Sequence, residues 1–284
     1  MVTPDLISVI ITTYNRSDAV AAVLRGLSAQ SDRHFEVVVA DDGSETIHQE
    51  NIRGLPEFSA LRASYVWHPD EGFTAAKVRN LGVAASSGDY IVFLDGDCVP
   101  EVDFIAQHRR LAEPGCFING SRVLLSEKLS QQVTGQGLTV YGQPKRFWWH
   151  SWQSGDASRI VGTLRLPDGG YRHKRHFSWK GIRSCNLALW RSDFLLVDGF
   201  DEIYVGWGHE DADLVLRLHH AGVVRKNGFC ATEVFHLWHR ESSRDRETAN
   251  ANRVRQRAQS QIVKSEIGYS QSHQRDRVVV TRLR

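Results

Sequence analysis

The sequence is poor in several things that would have narrowed its class. It has one methionine, seven prolines and four cysteines in 284 residues. Cys98, Cys116, Cys185 and Cys230 lie far apart with no C-x-x-C pair, which argues against a zinc module or a disulfide framework and fits a reducing compartment. No apolar run approaches the roughly 18 residues a spanning helix needs. No leader-like segment precedes the first apolar strand. The expected location is therefore cytoplasmic, either soluble or peripheral at the inner face of the plasma membrane. A Gly-x-x-x-x-Gly-Lys-Ser/Thr loop is missing, as is Gly-x-Gly-x-x-Gly after the first strand, which weighs against the P-loop and dinucleotide classes. A strong net charge is missing too: 35 Lys/Arg against 33 Asp/Glu gives +2. That charge is uneven. Residues 240–284 hold eleven Lys/Arg and five Asp/Glu, a net of +6, which leaves −4 for the first 239 residues. Such a tail suits an anionic membrane surface, a lipid-linked diphosphate or nucleic acid, although the acidic balance of the remainder speaks against the last.

What is present is a series of buried-type strands that end in polar clusters. Tyr90-Ile-Val-Phe-Leu-Asp95 reads as a strand covered on both faces. It runs into Asp95-Gly96-Asp97, whose carboxylates cannot stay unpaired in a core and must emerge at the strand's carboxyl end, where open α/β sheets bind ligands. Two hard oxygen donors there suit Mg²⁺ or Mn²⁺; an Asp-Gly-Asp surface turn is the plainer alternative. Ile7–Thr13, Phe35–Ala40 and Ala63–His68 are further predicted strands, and Ala19–Ala29 and Thr74–Ala85 carry helical spacing. This alternation predicts a mostly parallel, Rossmann-like α/β sheet. The clusters Thr12-Thr13-Tyr14-Asn15, Asp41-Asp42 and Asp95-Gly96-Asp97 should then converge on one cleft.

From Ser126 to Arg183 the apolar periodicity fades, and Trp148, Trp149, Trp152 and Trp179 mix with cations such as Arg165, Arg172, His173 and Arg175. We read a mobile insertion over the cleft, with core packing of several Trp as the alternative. Glu210, Asp211 and Asp213 crowd the first turn of a predicted helix, an ordinary macrodipole pattern. Gly206-Trp207-Gly208 in front of it reads as a hinge carrying a lid residue, which makes a neighbouring carboxylate a candidate general base. Ala231–His236 is the last core strand. It ends in His236-Leu-Trp-His239, and both imidazoles share a site only if the chain turns there. Beyond Arg240 we expect a basic extension: a solvated helix to Ser265, then a loosely held end.

These clusters, in this order over about residues 5–239, resemble the inverting family 2 glycosyltransferases of GT-A fold. Gly206-Trp-Gly-His-Glu-Asp211 with His236-x-x-His239 also looks like the C-terminal half of β-1,4-galactosyltransferases and bacterial chondroitin-type polymerases. The resemblance implies a nucleotide-sugar half (1–125), the insertion (126–183) and an acceptor half (184–239). It implies Thr13 and Tyr14 at the uracil and ribose, Asp41 or Asp42 on the base, Arg79 on the diphosphate, and Asp95 on ribose or sugar. Asp97, His239 and His236 would bind Mn²⁺ or Mg²⁺, Trp207 would close on sugar and phosphate, Glu210 would hold hydroxyls, and Asp211 would be the base. It implies a UDP-sugar donor, with UDP-Gal or UDP-GalNAc favoured, and a hydroxyl of a surface-glycan or lipid-linked acceptor. His209 stands where relatives usually have Gly, and Ala212 where Asp is frequent. A nucleotidyltransferase, which also places carboxylates and metal at strand ends, and a non-catalytic nucleic-acid-binding protein are the competing classes.

Overall fold

The computed structural model describes residues 2–160, 164–174, 176–179, 181–240, 245–272 and 279–282. Arg175 and part of the expected loose end lie outside them. Eleven strands follow in chain order: β1 Ile7–Thr13, β2 Phe35–Asp41, β3 Ala63–Trp67, β4 Tyr90–Asp95, β5 Cys98–Pro100, β6 Cys116–Asn119, β7 Ser121–Leu124, β8 Asn186–Trp190, β9 Val224–Asn227, β10 Glu233–His236 and β11 Val279–Arg282. Eight form one sheet in the order β11-β3-β2-β1-β4-β8-β6-β9, and β5-β10-β7 form a smaller one. β3, β2, β1 and β4 run parallel, and β8 and β11 run against their neighbours. The expected α/β architecture with a mostly parallel centre is what the chain adopts.

Alternation along the parallel strands builds two cores. Val9 and Ile11 of β1 point to one side, where the Ser17–Ser28 helix brings Val20, Val23, Leu24 and Leu27. Ile10 points to the other, against the Ala75–Ala84 helix (Val78, Leu81) and the Glu210–His220 helix (Leu214, Val215, Leu218). With both faces covered, the strands can be apolar throughout, and their polar carboxyl ends open together on one edge.

Two expectations need correcting. The described residues of segment 126–183 do not roof the cleft: none of them lines it. The segment's Lys145–Gln153 helix packs on the small sheet, with Trp148 1% exposed and stacked on Phe235 at 4.2 Å and 10°, and its Glu127–Gly135 helix lies against the Ser17–Ser28 helix. Two of its cations are turned inward, Arg165 to Asp103 (2.6 Å) and Arg172 to the carbonyls of Asn227 and Phe229 (2.8 and 2.9 Å). Burying Trp148 outweighs keeping the segment free, because an indole of this size contributes more to a core than to a solvated loop. Trp149 and Trp152 do remain exposed.

The extension after residue 240 is not merely solvated either. The Glu247–Arg257 helix places Asn250, 3% exposed, beneath the Gly206-Trp207-Gly208 loop. Arg257 bridges Asp201 and Asp213 at 2.9 and 2.6 Å. β11 closes the sheet edge beside β3. Arg257 thus satisfies two buried carboxylates of the domain, a use that net charge alone does not reveal.

Candidate active site

The carboxyl ends of β1, β2 and β4 and the ends of β7 and β10 border a cleft of about 720 Å³. Thr13, Tyr14, Asp42, Arg79, Asp95, Asp97, Trp207, His236 and His239 all line it. Of the expected donor-site residues, Asp41 does not. It is fully buried, accepting from the Ser44 amide (2.7 Å) and the Tyr65 hydroxyl. Asp42 takes the cleft side and is held by the Thr74 amide (2.8 Å) and hydroxyl and by His68 (3.0 Å). Tyr14 is half exposed, and its hydroxyl donates to Asp70 at 2.9 Å.

Gly96 fits where it does because a Cβ would sit 3.0 Å from the Thr12 carbonyl oxygen and 3.1 Å from Thr13 Cβ. Its amide donates to that same carbonyl at 2.7 Å. The turn therefore lies against β1 and presents Asp95 and Asp97 on either side. Asp95 meets Arg79 (3.2 Å), and Arg79 reaches back to Glu210 (2.9 Å), so one buried guanidinium ties the end of β4 to the start of the Glu210–His220 helix. The Arg79 charge expected at the diphosphate is thus already shared between two carboxylates.

Asp97 faces two imidazoles. β10 pairs antiparallel with β5, setting His236 opposite Cys98. The strand ends at His236, and the turn that follows brings His239 back, with the two rings 5.2 Å apart at 45°. Their Nε2 atoms lie 3.6 Å (His236) and 3.2 Å (His239) from the two Asp97 oxygens. His239 Nδ1 sits 2.9 Å from the Arg240 carbonyl oxygen and must donate to it. That leaves Nε2 as the atom facing the carboxylate, where the two groups could hold a cation between them. Burial, opposed in part by Asp97, lowers the His236 pKa and favours the neutral, ligating form. One carboxylate oxygen and two imidazole nitrogens are a fitting donor set for Mn²⁺ and a usable one for Mg²⁺.

Glu210 and Asp211 stand beside the cleft, behind Arg79, rather than on its lining. Desolvation, then the adjacent Glu210, pushes Asp211 up to about 7, opposed by Arg79 and by the Ala212 and Ser184 amides at 2.7 and 3.2 Å. In the loop ahead, Gly206, Gly208 and His209 all have positive φ (83°, 96° and 74°); glycine adopts this freely, so the strain falls on His209.

Sequence reasoning missed Arg122, Leu124 and Trp238 on the lining. Trp238 lay within a quoted motif. Arg122 belongs to a four-residue strand with no periodicity to announce it.

With this geometry in place, comparison with known proteins is informative. Residues 8–158 match glycosyl transferase family 2, and residues 169–240 match the N-terminal domain of galactosyltransferase. The chain is 30% identical over 230 residues to validoxylamine A glucosyltransferase of Streptomyces hygroscopicus subsp. jinggangensis, covering 77% of this chain and 52% of that one. It is 28% identical over 238 residues to chondroitin synthase of Escherichia coli, covering 77% and 33%. The chain thus spans about half or less of the length of these curated relatives. Among solved structures, the mannosyltransferase PcManGT of Pyrobaculum calidifontis, in complex with GDP-Man and Mn²⁺, superposes with a TM-score of 0.55 at 16% identity over 85% of this chain and 59% of that one. The fold is that of GT-A glycosyltransferases, and the chain belongs to glycosyl transferase family 2.

Proposed function

We propose that the protein is a metal-dependent inverting glycosyltransferase that moves a hexose from a UDP-sugar, UDP-Gal or UDP-GalNAc in the first instance, to a hydroxyl of a surface-glycan or lipid-linked acceptor. The observation that carries this reading is Asp97 standing between His236 and His239 in the cleft that Thr13, Tyr14 and Asp42 also line. A bound Mn²⁺ or Mg²⁺ would offset the charge of the departing diphosphate. Tyr14, with its exposed ring, and Asp42 would bind uridine, and Asp95 would orient ribose or sugar. Asp211 would accept the acceptor's proton as the hydroxyl attacks the anomeric carbon opposite the diphosphate. Glu210, fixed by Arg79, would hold acceptor or donor hydroxyls. A single base suffices because no covalent intermediate forms, and Trp207 on its glycine-flanked loop would shut out water.

The relatives' names, a glucosyltransferase and a chondroitin synthase, support sugar transfer and polysaccharide synthesis as the reaction class. Where the protein meets its acceptor, at an anionic membrane face or free in the cytoplasm, belongs to the same proposal; among the described residues no helix is long and apolar enough to cross a membrane. The test is Mn²⁺ binding by calorimetry. His239→Ala and Asp97→Asn should each weaken Mn²⁺ at least about tenfold. Affinities equal to wild type in both variants would remove the metal site and the reading with it.

A further inference from the structure

The charges on the cleft wall do not cancel. Four arginines line it. Arg16 pairs with Asp18 at 3.0 Å, Arg79 is held between Asp95 and Glu210, and Arg240 is open to solvent. Arg122 differs from all three. It is half-buried, its Nη1 reaches only Cys185 Sγ at 3.9 Å, and its solvent-shielded Nε has no hydrogen-bond partner. Among the described residues it meets no carboxylate. A guanidinium only partly in water and without a counter-charge leaves its fork available to an anion in the cleft.

Its position is set by the small sheet. β7 runs parallel to β10 with Val234 opposite Arg122 and Leu124 opposite His236. The pleat turns Val123 into the core, 1% exposed, and puts Arg122 and Leu124 on the cleft side with His236. Arg122 is then one strand repeat, about 7 Å, from the row that holds the metal-site imidazole.

On the reading proposed above, on which this inference rests, a divalent ion on Asp97 and two neutral imidazoles leaves one positive charge. The diphosphate of a sugar nucleotide carries two negative ones. We infer that Arg122 supplies the second positive charge and binds an oxyanion of the sugar nucleotide through its planar fork. That oxyanion is a phosphate oxygen of the diphosphate or the carboxylate of a uronosyl group, two sources with one recognition chemistry.

Calorimetry on the full chain with Mn²⁺ present separates them, using uridine, UDP, UDP-glucose and UDP-glucuronate as probes of wild type, Arg122→Gln and Arg122→Lys. If the phosphate is the source, Arg122→Gln weakens UDP and both UDP-sugars tenfold or more, leaves uridine unchanged, and Arg122→Lys recovers part of the loss. If the carboxylate is the source, only UDP-glucuronate weakens. Either pattern supports the inference, and retained binding by Arg122→Lys shows that the fold tolerates change at this position. Affinities within twofold of wild type for all four probes in Arg122→Gln would overturn the inference while leaving the proposed function standing. A wild-type protein that binds Mn²⁺ but neither UDP nor the UDP-sugars would overturn both.

Discussion

Asp211 carries the proton chemistry of the proposed transfer, and its surroundings set the pH at which it can act. Desolvation and Glu210 raise it to about 7, so below that value the carboxyl is increasingly protonated and cannot serve as a base. The sign follows directly: kcat/KM should fall about tenfold per pH unit below roughly pH 7 and level off above it. Asp211→Asn should lower kcat at least about 100-fold and leave the Mn²⁺–UDP affinity within twofold. A matching loss of UDP affinity would remove Asp211 from the role of base. The residue just before Glu210 adds a conformational point. His209 occupies the left-handed region at φ 74°, which favours glycine, so the backbone is strained at the turn that presents Glu210 and Asp211. Strain of this kind, of order 1–3 kcal/mol, persists only where neighbouring structure enforces it.

At the scale of elements, that enforcement comes from the C-terminal helix. Asn250 donates to the Gly208 and Val205 carbonyls at 3.0 and 3.4 Å, and the Arg246 stem lies 3.0 Å from where a Gly206 Cβ would be. Gly206 in turn donates to the Phe73 carbonyl at 2.9 Å on the cleft rim. Asn250→Ala should therefore speed amide exchange across residues 205–209 at least about fivefold, in line with the loss of roughly 1 kcal/mol of buried hydrogen bonding. Unchanged exchange there would show that the helix does not hold the loop. The insertion makes a parallel case. Trp148→Ala should destabilise the protein by about 3–5 kcal/mol, whereas Trp149→Ala, on the exposed face of the same helix, should cost under about 0.5 kcal/mol. Equal small effects in denaturant titrations would return 126–183 to the status of a loose cover.

These elements also mark how far the sequence could be read. β1, β2, β3 and β4 were legible because each is an apolar run closed by polar residues, and so were the Ser17–Ser28 and Ala75–Ala84 helices, whereas the short Thr46–Arg53 and Pro56–Ala60 helices were not. The Asp95-Gly96-Asp97 turn and the two histidines were legible as cleft residues because few roles suit such residues at strand ends, and Trp207 because glycines flank it. β5, β6, β7 and β9 were not, since strands of three or four residues carry too few positions for a period to show. Nor could the sequence tell that Arg79 is shared between Asp95 and Glu210 rather than free, or that Asp41 lies behind Asp42. Both depend on which side chains meet across more than 15 residues of chain.

For the whole molecule, the packed sheet gathers at its carboxyl edge the residues proposed for donor, metal and base from separate stretches of chain, while the Glu247–Arg257 helix braces the Gly206-Trp207-Gly208 loop. The central claim is that this edge performs a cation-dependent sugar transfer. The most direct measurement follows nucleotide release from UDP-Gal, UDP-GalNAc, UDP-Glc, UDP-GlcNAc and a GDP-sugar with mixed glycan acceptors, in Mn²⁺ and in EDTA. The account predicts UDP release from one UDP-hexose, dependent on acceptor and abolished by EDTA. Release that persists in EDTA, or no release from any donor, would contradict it.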